Sequence, residues 1–251
     1  MNLLPTALLL AFTINTIVID QSNHQPDLES DLIAYYTFNE CDARDDTGNG
    51  SNGILYGDVG CWCGIEDDGL LFDGVNDYVE FQGRVNQYFG NTDFTISFYF
   101  KSEKYNIFRQ SLLSKREACD LEHILDLSVD QNQKIVNTML YESPLKYYNN
   151  ISPSIAKNGW HHFTLVREGL KVSTYINGEL QRESFKCNGV DLSNNAFLSF
   201  SNSPCILTGE GRRFKGILDE LRIYSRALDK SEIQSLYLLF PIENAASDCF
   251  S

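Results

Sequence analysis

Residues 39–80 hold 11 acidic side chains against a single base, Arg44. Within them, Asp45-Asp46-Thr47-Gly48-Asn49-Gly50 interleaves short oxygen-bearing side chains with glycines. Carboxylate, amide and backbone carbonyl oxygens in such a loop can converge on a hard cation, and calcium takes roughly six to eight oxygen ligands in flexible geometry. The loop is not an EF-hand, because position 12 counted from Asp45 is Tyr56 rather than Glu. A solvated acidic face is the plainer reading of the same charges. Asp219 adds to the question. By period-two alternation it shares a face with Ile217, Leu221 and Ile223. A carboxylate in that company is expected to be buried and to need a partner. The partner is a cation, a set of backbone N–H groups, or an arginine such as Arg222 or Arg44.

Seven cysteines, at 41, 61, 63, 119, 187, 205 and 249, form the second group with chemistry of its own. A zinc site needs paired C-x2-C units or histidines at ligand spacing. Cys61 and Cys63 offer only C-x-C, with no histidine beside them. Disulfides are therefore expected, and with them an oxidising compartment. Cys187 is expected to bond Cys205, since Asn188-Gly189 and Ser193-Asn194-Asn195 supply turns that would fold a strand back on itself. Cys41 is expected to bond Cys61 or Cys63, Cys119 to take whichever of those two remains, and Cys249 to be left over. The N-terminus agrees with export. Residues 2–19 carry no charge and are mostly apolar, so residues 1–20 read as a secretory leader or a retained N-terminal anchor. No later run is long and apolar enough to span a bilayer, which excludes an integral multi-span membrane protein. A secreted or cell-surface location follows. With 20 Lys+Arg against 34 Asp+Glu, the formal charge is −14, which argues against nucleic acid as a partner because phosphate neutralisation needs basic patches.

The elements that must position these residues are strands. Leu32, Ala34, Tyr36 and Phe38 alternate, as do Phe94, Ile96, Phe98 and Phe100, with Thr95, Ser97, Tyr99 and Lys101 opposite. Further strand-like runs cover 70–72, 78–81, 112–114, 123–129, 135–141, 161–166, 172–176, 197–200 and 217–224. Asn177-Gly178 predicts a type I′ hairpin, whose two central residues both need positive φ. One helix is expected near the end, opened by a capping box of Asp229 and Glu232, carrying Ile233, Leu236 and Tyr237 on one face, and stopped at Pro241. Short strands in this number with so little helix predict an all-β, two-sheet antiparallel sandwich.

The runs LIAYYTFNE…DDTGNGSNGILYG, LLFDGVNDYVEF, FTISFYFK, WHHFTLVREGLKVSTYINGEL and FKGILDELRIYSRALDKSEIQSLY resemble a laminin-G-like jelly roll. This is the concanavalin A-like class that includes pentraxin-type domains and is common in secreted bacterial surface proteins. The resemblance implies a jelly-roll domain over residues 28–240 with a short tail at 241–251. It also implies antiparallel pairing of the first and last strands, which would bring the start of the Ile217 strand beside Asn39 and Glu40. Carrying the family's cation loop across gives Asp45, Asn49 and Asp219 as calcium ligands, with Glu40 in reserve.

The same class hosts glycoside hydrolases, which place three acids on one strand as E-x-D-x-E. The nearest arrangement here is Glu117-Ala118-Cys119-Asp120-Leu121-Glu122, where Ala118 stands in the place of the first acid and Glu117 points away. The trio reads as a loop entering a strand, and no catalytic residue is assigned. Nucleophile-elbow, zinc-protease and phosphate-loop motifs are also absent. The expectation is a non-catalytic, calcium-stabilised extracellular recognition module, lectin-like, that binds glycans or cell-surface proteins. A spacer or adhesion domain without a small ligand is the alternative. Tyr141, Tyr147 and Tyr148 are the aromatics that could stack on a sugar, whereas Trp160 reads as a core or rim anchor.

Overall fold

A computed structural model describes residues 26–102, 107–151, 155, 159–186 and 188–245. The leader or anchor expected over residues 1–20, Cys187 and Cys249 lie outside them. The strands are β1 (Leu32–Tyr36), β2 (Gly53–Tyr56), β3 (Gly60–Cys63), β4 (Asp68–Asp73), β5 (Tyr78–Phe81), β6 (Phe94–Ser102), β7 (Gln110–Lys115) and β8 (Ile124–Asp130). They continue as β9 (Ile135–Ser143), β10 (Lys146–Ile151), β11 (Trp160–Glu168), β12 (Lys171–Ile176), β13 (Glu179–Phe185), β14 (Leu198–Phe200) and β15 (Lys215–Tyr224). A one-turn helix, α1 (Pro204–Leu207), precedes β15, and α2 (Lys230–Leu239) follows it.

All pairings between these strands are antiparallel, in two sheets. The first runs β13-β12-β11-β6-β15-β4-β3, and the second β10-β9-β8-β7-β14-β5-β2. The ten-residue β15 carries two neighbours on one side, β4 along Lys215–Leu218 and β1 along Leu221–Tyr224. The first and last strands thus pair as expected. Between the sheets lies an aromatic core in which Phe72 and Phe98 of the first sheet meet Phe200 of the second at 5.1 and 6.2 Å between ring centroids. The two-residue turn after β12 has φ of 53° at Asn177 and 76° at Gly178, as a type I′ hairpin requires.

The outer face of the first sheet is covered. The Asp229 side chain caps α2 by accepting from Glu232 N at 2.9 Å, and the Glu232 carboxylate accepts from Asp229 N at 2.7 Å. Ile233 and Leu236 then bury against Val166, Tyr175 and Tyr224. Phe240, Ile242 and Ala245 pack on a neighbouring cluster that contains Trp160, so part of the segment assigned to a tail from 241 belongs to the packed structure. This cover explains why β6 is almost wholly buried on both faces. Beneath it His162 is 1% exposed, and its Nε2 lies 2.6 Å from Ser97 Oγ.

The disulfides correct part of the sequence reading. Cys41 bonds Cys61, one of its two expected partners, and Cys63 is disulfide-bonded as well. Cys205, however, bonds Cys119 across 86 residues, with 4.8 Å between their Cα atoms. The expected Cys187–Cys205 bridge and the pairing of Cys119 with Cys61 or Cys63 are therefore not formed. The reason is topological. β13 ends in one sheet and the next strand, β14, lies in the other, so the two do not fold back on each other as a hairpin. Asn194 fastens the crossing by donating to the Lys115 and His123 carbonyls at 3.2 and 2.6 Å. Non-reducing peptide mapping should recover a fragment linking Cys119 to Cys205; a Cys205 fragment bound to any other cysteine would refute the topology of the crossing.

Burial, with the Arg222 guanidinium nearby, lowers the His162 pKa to about 3. An unfolded histidine takes a proton near pH 6.5, so the unfolded chain binds more protons below that pH and stability falls on acidification. At pH 5 the loss from this one group is about 2 kcal/mol. Melting temperatures between pH 7 and 5 should therefore fall less steeply in His162→Asn than in the parent chain. Equal slopes would mean that His162 is not held neutral.

Candidate functional site

The residues expected to hold calcium occupy separate positions. Asp45 is buried in the loop after β1 and acts as an acceptor for the loop's own backbone. Its Oδ1 takes N–H from Tyr35 and Thr47 and the Thr47 hydroxyl, the last at 2.6 Å, and its Oδ2 takes Ser51 N–H at 3.0 Å. Asn49 is exposed and directs its amide at the Leu32 and Ile33 carbonyls. Glu40 is exposed.

Asp219 is fully buried, but not by the alternation read from sequence. A register shift follows it, and Glu220 adopts φ 52°. Such a bulge inverts the facing of everything beyond it. Leu221 and Ile223 enter the core, while Ile217 joins the outer cluster. Asp219 accepts N–H from Ile65 at 2.7 Å and Glu66 at 3.3 Å on Oδ2, and from Glu220 at 2.8 Å on Oδ1. Burial, with Glu220 adding to it, pushes its carboxyl well above the usual range. A Cβ on Gly64 would stand 2.1 Å from Asp219 Oδ2, so only glycine admits this approach.

These carboxylates do not fit one shared calcium. Their oxygens are engaged by N–H and O–H donors belonging to two different stretches of backbone. Among the described residues, the sets of three acidic, cysteine or histidine ligand atoms within 4.8 Å of one another are Cys41–Cys61–Asp68 and Cys119–Cys205–Glu210. Both are built on disulfide sulfurs, which are not thiolate ligands. Glu40, Asp45 and Asp219 form no such set.

A different region has the character of a site. On the outer face of the second sheet, register aligns Glu80, Ser199, Ser114, Asp126 and Met139 across five strands. The next row aligns Ser111 with Ser128 and Asn137. Ser111 and Ser114 reach the same face because β7 bulges between them, which sends both Leu112 and Leu113 into the core. Over these rows lie two adjoining hollows. One, of about 270 Å³, has Ser111, Asp126, Ser128 and Met139 among its lining, with the 116–121 loop and the Ser203–Gly211 segment as walls. The Cys119–Cys205 bond ties those walls together. The other, of about 390 Å³, is lined by Glu80, Ser114, Ser199, Asn202 and the half-exposed Phe197. Arg116 and Ser203 border both.

The rows beneath this groove are polar and buried, with Leu121, Met139 and Ile206 adding apolar surface to the first hollow. Asp126 Oδ1, Ser114 Oγ and Ser128 Oγ are almost wholly shut off from the surface, and the Asp126 carboxyl faces Ser114, Ser203 and Arg116 closely enough for each to stabilise its ionised form, although no hydrogen bond to Oδ1, Ser114 Oγ or Ser128 Oγ reaches good geometry among the described residues. Buried polar atoms are rarely left so. Burial raises the Asp126 pKa, opposed by Arg116, whose guanidinium stands 3.9 Å from Oδ1. Arg116 is itself held by the Ala118 carbonyl at 2.7 Å and by that of Asp120. Sequence reading missed this groove, since a serine-rich strand gives no chemical signal on its own. The one clue was the Ser/Asp content of the 124–130 strand at alternate positions.

The tyrosines expected to stack on sugar do not line the groove. Tyr148 is buried in the core. Tyr141 and Tyr147 stack on each other at 4.5 Å, with Lys186 Nζ 5.0 Å from the Tyr147 ring centre. Glu117, Asp120 and Glu122 lie exposed in the loop between β7 and β8, as the trio was read.

Two measurements test the roles of Asp45 and Asp219. Melting temperature should be the same in calcium and in EDTA, and Asp219→Ala should destabilise by about 1–3 kcal/mol, the cost of orphaning a buried donor. A calcium-dependent rise that Asp219→Ala abolishes would restore the ion.

Comparison with known proteins places the fold. The model of the concanavalin A-like lectin/glucanases superfamily matches residues 73–234. Paraclostridial mosquitocidal protein 1 of Paraclostridium bifermentans is 37% identical over 93 residues, 35% of this chain and 7% of that protein. The solved binding domain of that protein aligns with a TM-score of 0.68 at 19% identity, covering 84% of this chain and 52% of the domain. Domain 4 of AbnA, an extracellular GH43 arabinanase from Geobacillus stearothermophilus solved with arabinotriose, aligns at 0.64 and 21%, covering 82% and 98%. The botulinum neurotoxin serotype G binding domain aligns at 0.67 and 18%, covering 83% and 51%. The chain thus spans about half the length of the toxin binding domains and a small part of the curated protein. At these identities the solved structures carry the fold alone. With the family model matched over more than half of the chain, and β1 and β4 completing the first of its two sheets by pairing with β15, the chain belongs to the concanavalin A-like lectin/glucanases superfamily.

Proposed function

We propose that the chain is a non-catalytic recognition module of an exported protein, and that it binds a glycan in the groove on the outer face of the second sheet. The observation that carries this reading is the groove itself, two adjoining hollows whose lining sets Glu80, Asn202, Asp120, Glu210, Arg109 and Arg116 beside the half-exposed Phe197. A ligand rich in hydroxyl groups is the natural complement, because it offers donor and acceptor together at each group. The related proteins support it. About half of the binding domain of a mosquitocidal protein and of a botulinum neurotoxin has this fold, and an arabinanase domain of this fold was solved in complex with arabinotriose. Catalysis is left out because Glu117, Asp120 and Glu122 lie on an irregular loop and are not aligned along a strand. Calcium is left out because the oxygens that would bind it are taken by backbone donors.

The test is binding of the purified chain to immobilised glycans, followed by titration of the best ligand. Asp126→Asn keeps the volume but changes an acceptor into a donor, and Ser128→Ala removes a hydroxyl. Each should weaken binding about tenfold, equivalent to about 1.4 kcal/mol, with little change in melting temperature. Absence of binding to every glycan would favour the spacer reading. Binding that ignores both substitutions would move the site elsewhere.

A further inference from the structure

We infer that Cys63 is bonded to Cys249, so that the chain beyond Ala245 is fastened to β3, the edge strand of the first sheet. Elimination leaves two partners. Cys63 is disulfide-bonded, and Cys41, Cys61, Cys119 and Cys205 are taken in two other bonds. Of the seven cysteines, Cys187 and Cys249 remain.

Distance decides between them. β13 and β3 are the opposite edges of the first sheet, six strand intervals apart, which is about 29 Å at the usual spacing. Cys187 follows the last residue of β13 by two positions, and two residues reach at most about 7 Å. A disulfide adds roughly 4.4–6.8 Å between Cα atoms, so about half of the separation stays unbridged. Cys249 starts from the other side. Ala245 packs on the outer cluster that contains Ile65, two residues from Cys63. The four residues from Ala245 to Cys249 span up to about 14 Å, and with the bond itself they reach β3. Cys187 is then the odd thiol, not Cys249.

The bond acts as a strap over the first sheet. At its start the cover of that sheet is held by the α2 cap and by Arg226, which pairs with Glu232 at 2.7 Å. Its other end, from Phe240 to Ala245, rests on the sheet through partly buried apolar side chains. A covalent tie to β3 keeps those residues from peeling away from the buried His162. It also gives the four-residue β3 a second anchor beside the Cys41–Cys61 bond. Formation takes one proton and one electron from each thiol, and a disulfide of the oxidised glutathione class accepts them and becomes two thiols.

The experiment is peptide mapping without reduction, after alkylation of free thiols, on the full chain purified from an oxidising compartment. The tryptic fragment 45–84, which carries Cys61 and Cys63, should be joined to the fragment 231–251, which carries Cys249, and to the fragment that carries Cys41. The alkyl group should sit on Cys187 alone. Alkylated Cys249, or fragment 45–84 joined to 187–212, would overturn the pairing. Cys249→Ser should open Cys63 to alkylation, lower the melting temperature by about 5 °C or more, and speed amide exchange across 230–245 at least tenfold. Unchanged melting temperature and exchange in that variant would overturn the strap while leaving the bond.

Discussion

Asp219 stands where β15 changes partners, and the first sheet depends on how that change is managed. The strand is ten residues long, yet its neighbour on one side is β4 for the first half and β1 for the second. At the junction neither strand can continue the ladder, and backbone N–H groups of the turn leading into β4 would be left buried and unpaired. The Asp219 carboxylate accepts two of them, and the Glu220 N–H as well. The bulge at Glu220 turns that carboxylate to the outer face while returning Leu221 and Ile223 to the core. Glu220 in turn accepts from the Tyr35 hydroxyl at 2.7 Å and pairs with Arg222 at 2.8 Å. Two adjacent buried acids thus join β1, β4 and β15. Backbone N–H groups, a phenol and one guanidinium hydrogen-bond them, while burial still pushes both carboxyls above their usual range.

A second bulge, in β7, has a different result. It also places two consecutive hydrophobic residues in the core, Leu112 and Leu113, and sets Ser111 and Ser114 side by side in register with Ser128 and Asp126. The first bulge ends in short hydrogen bonds to backbone N–H groups, while the second sets Ser114 beside Asp126, whose carboxyl also faces Ser203 and Arg116. The first sheet is covered by α2 and the segment after it, whereas the outer face of the second is covered by irregular loops that leave the groove between them. The Cys119–Cys205 bond belongs to the latter, since it holds the two walls of the groove at a fixed separation on otherwise irregular loops.

Much of the scaffold could be read from local pattern alone. Alternation in 94–101 placed Phe94, Ile96, Phe98 and Phe100 inward, Asn177-Gly178 gave its hairpin, and Asp229 with Glu232 gave the helix start, because each depends on neighbours within a few residues. The edge strands β2, β3 and β13 were not legible. Exposed on one or both faces, they carry no hydrophobic period and exist only because a neighbouring strand pairs with them. The importance of Asp45 and Asp219 was also legible, but their role was not. Short acids beside glycines suit a cation and a set of backbone donors equally, and the loop's own N–H groups took the oxygens once the chain had closed around them.

Three matters were settled only by tertiary structure. The facing of Asp219 relative to Leu221 turned on one residue with positive φ, which period-two reasoning does not anticipate. The partner of Cys205 turned on the passage from one sheet to the other between β13 and β14, which a local strand–turn–strand reading takes for a return. The groove turned on register, which brings Glu80, Ser199, Ser114 and Asp126 into a line from positions spread over 120 residues of chain. Sequence determines which residues alternate and where turns fall, since those follow from local backbone geometry. Which polar residues become neighbours is decided by long-range pairing, and only the folded sheets contain it.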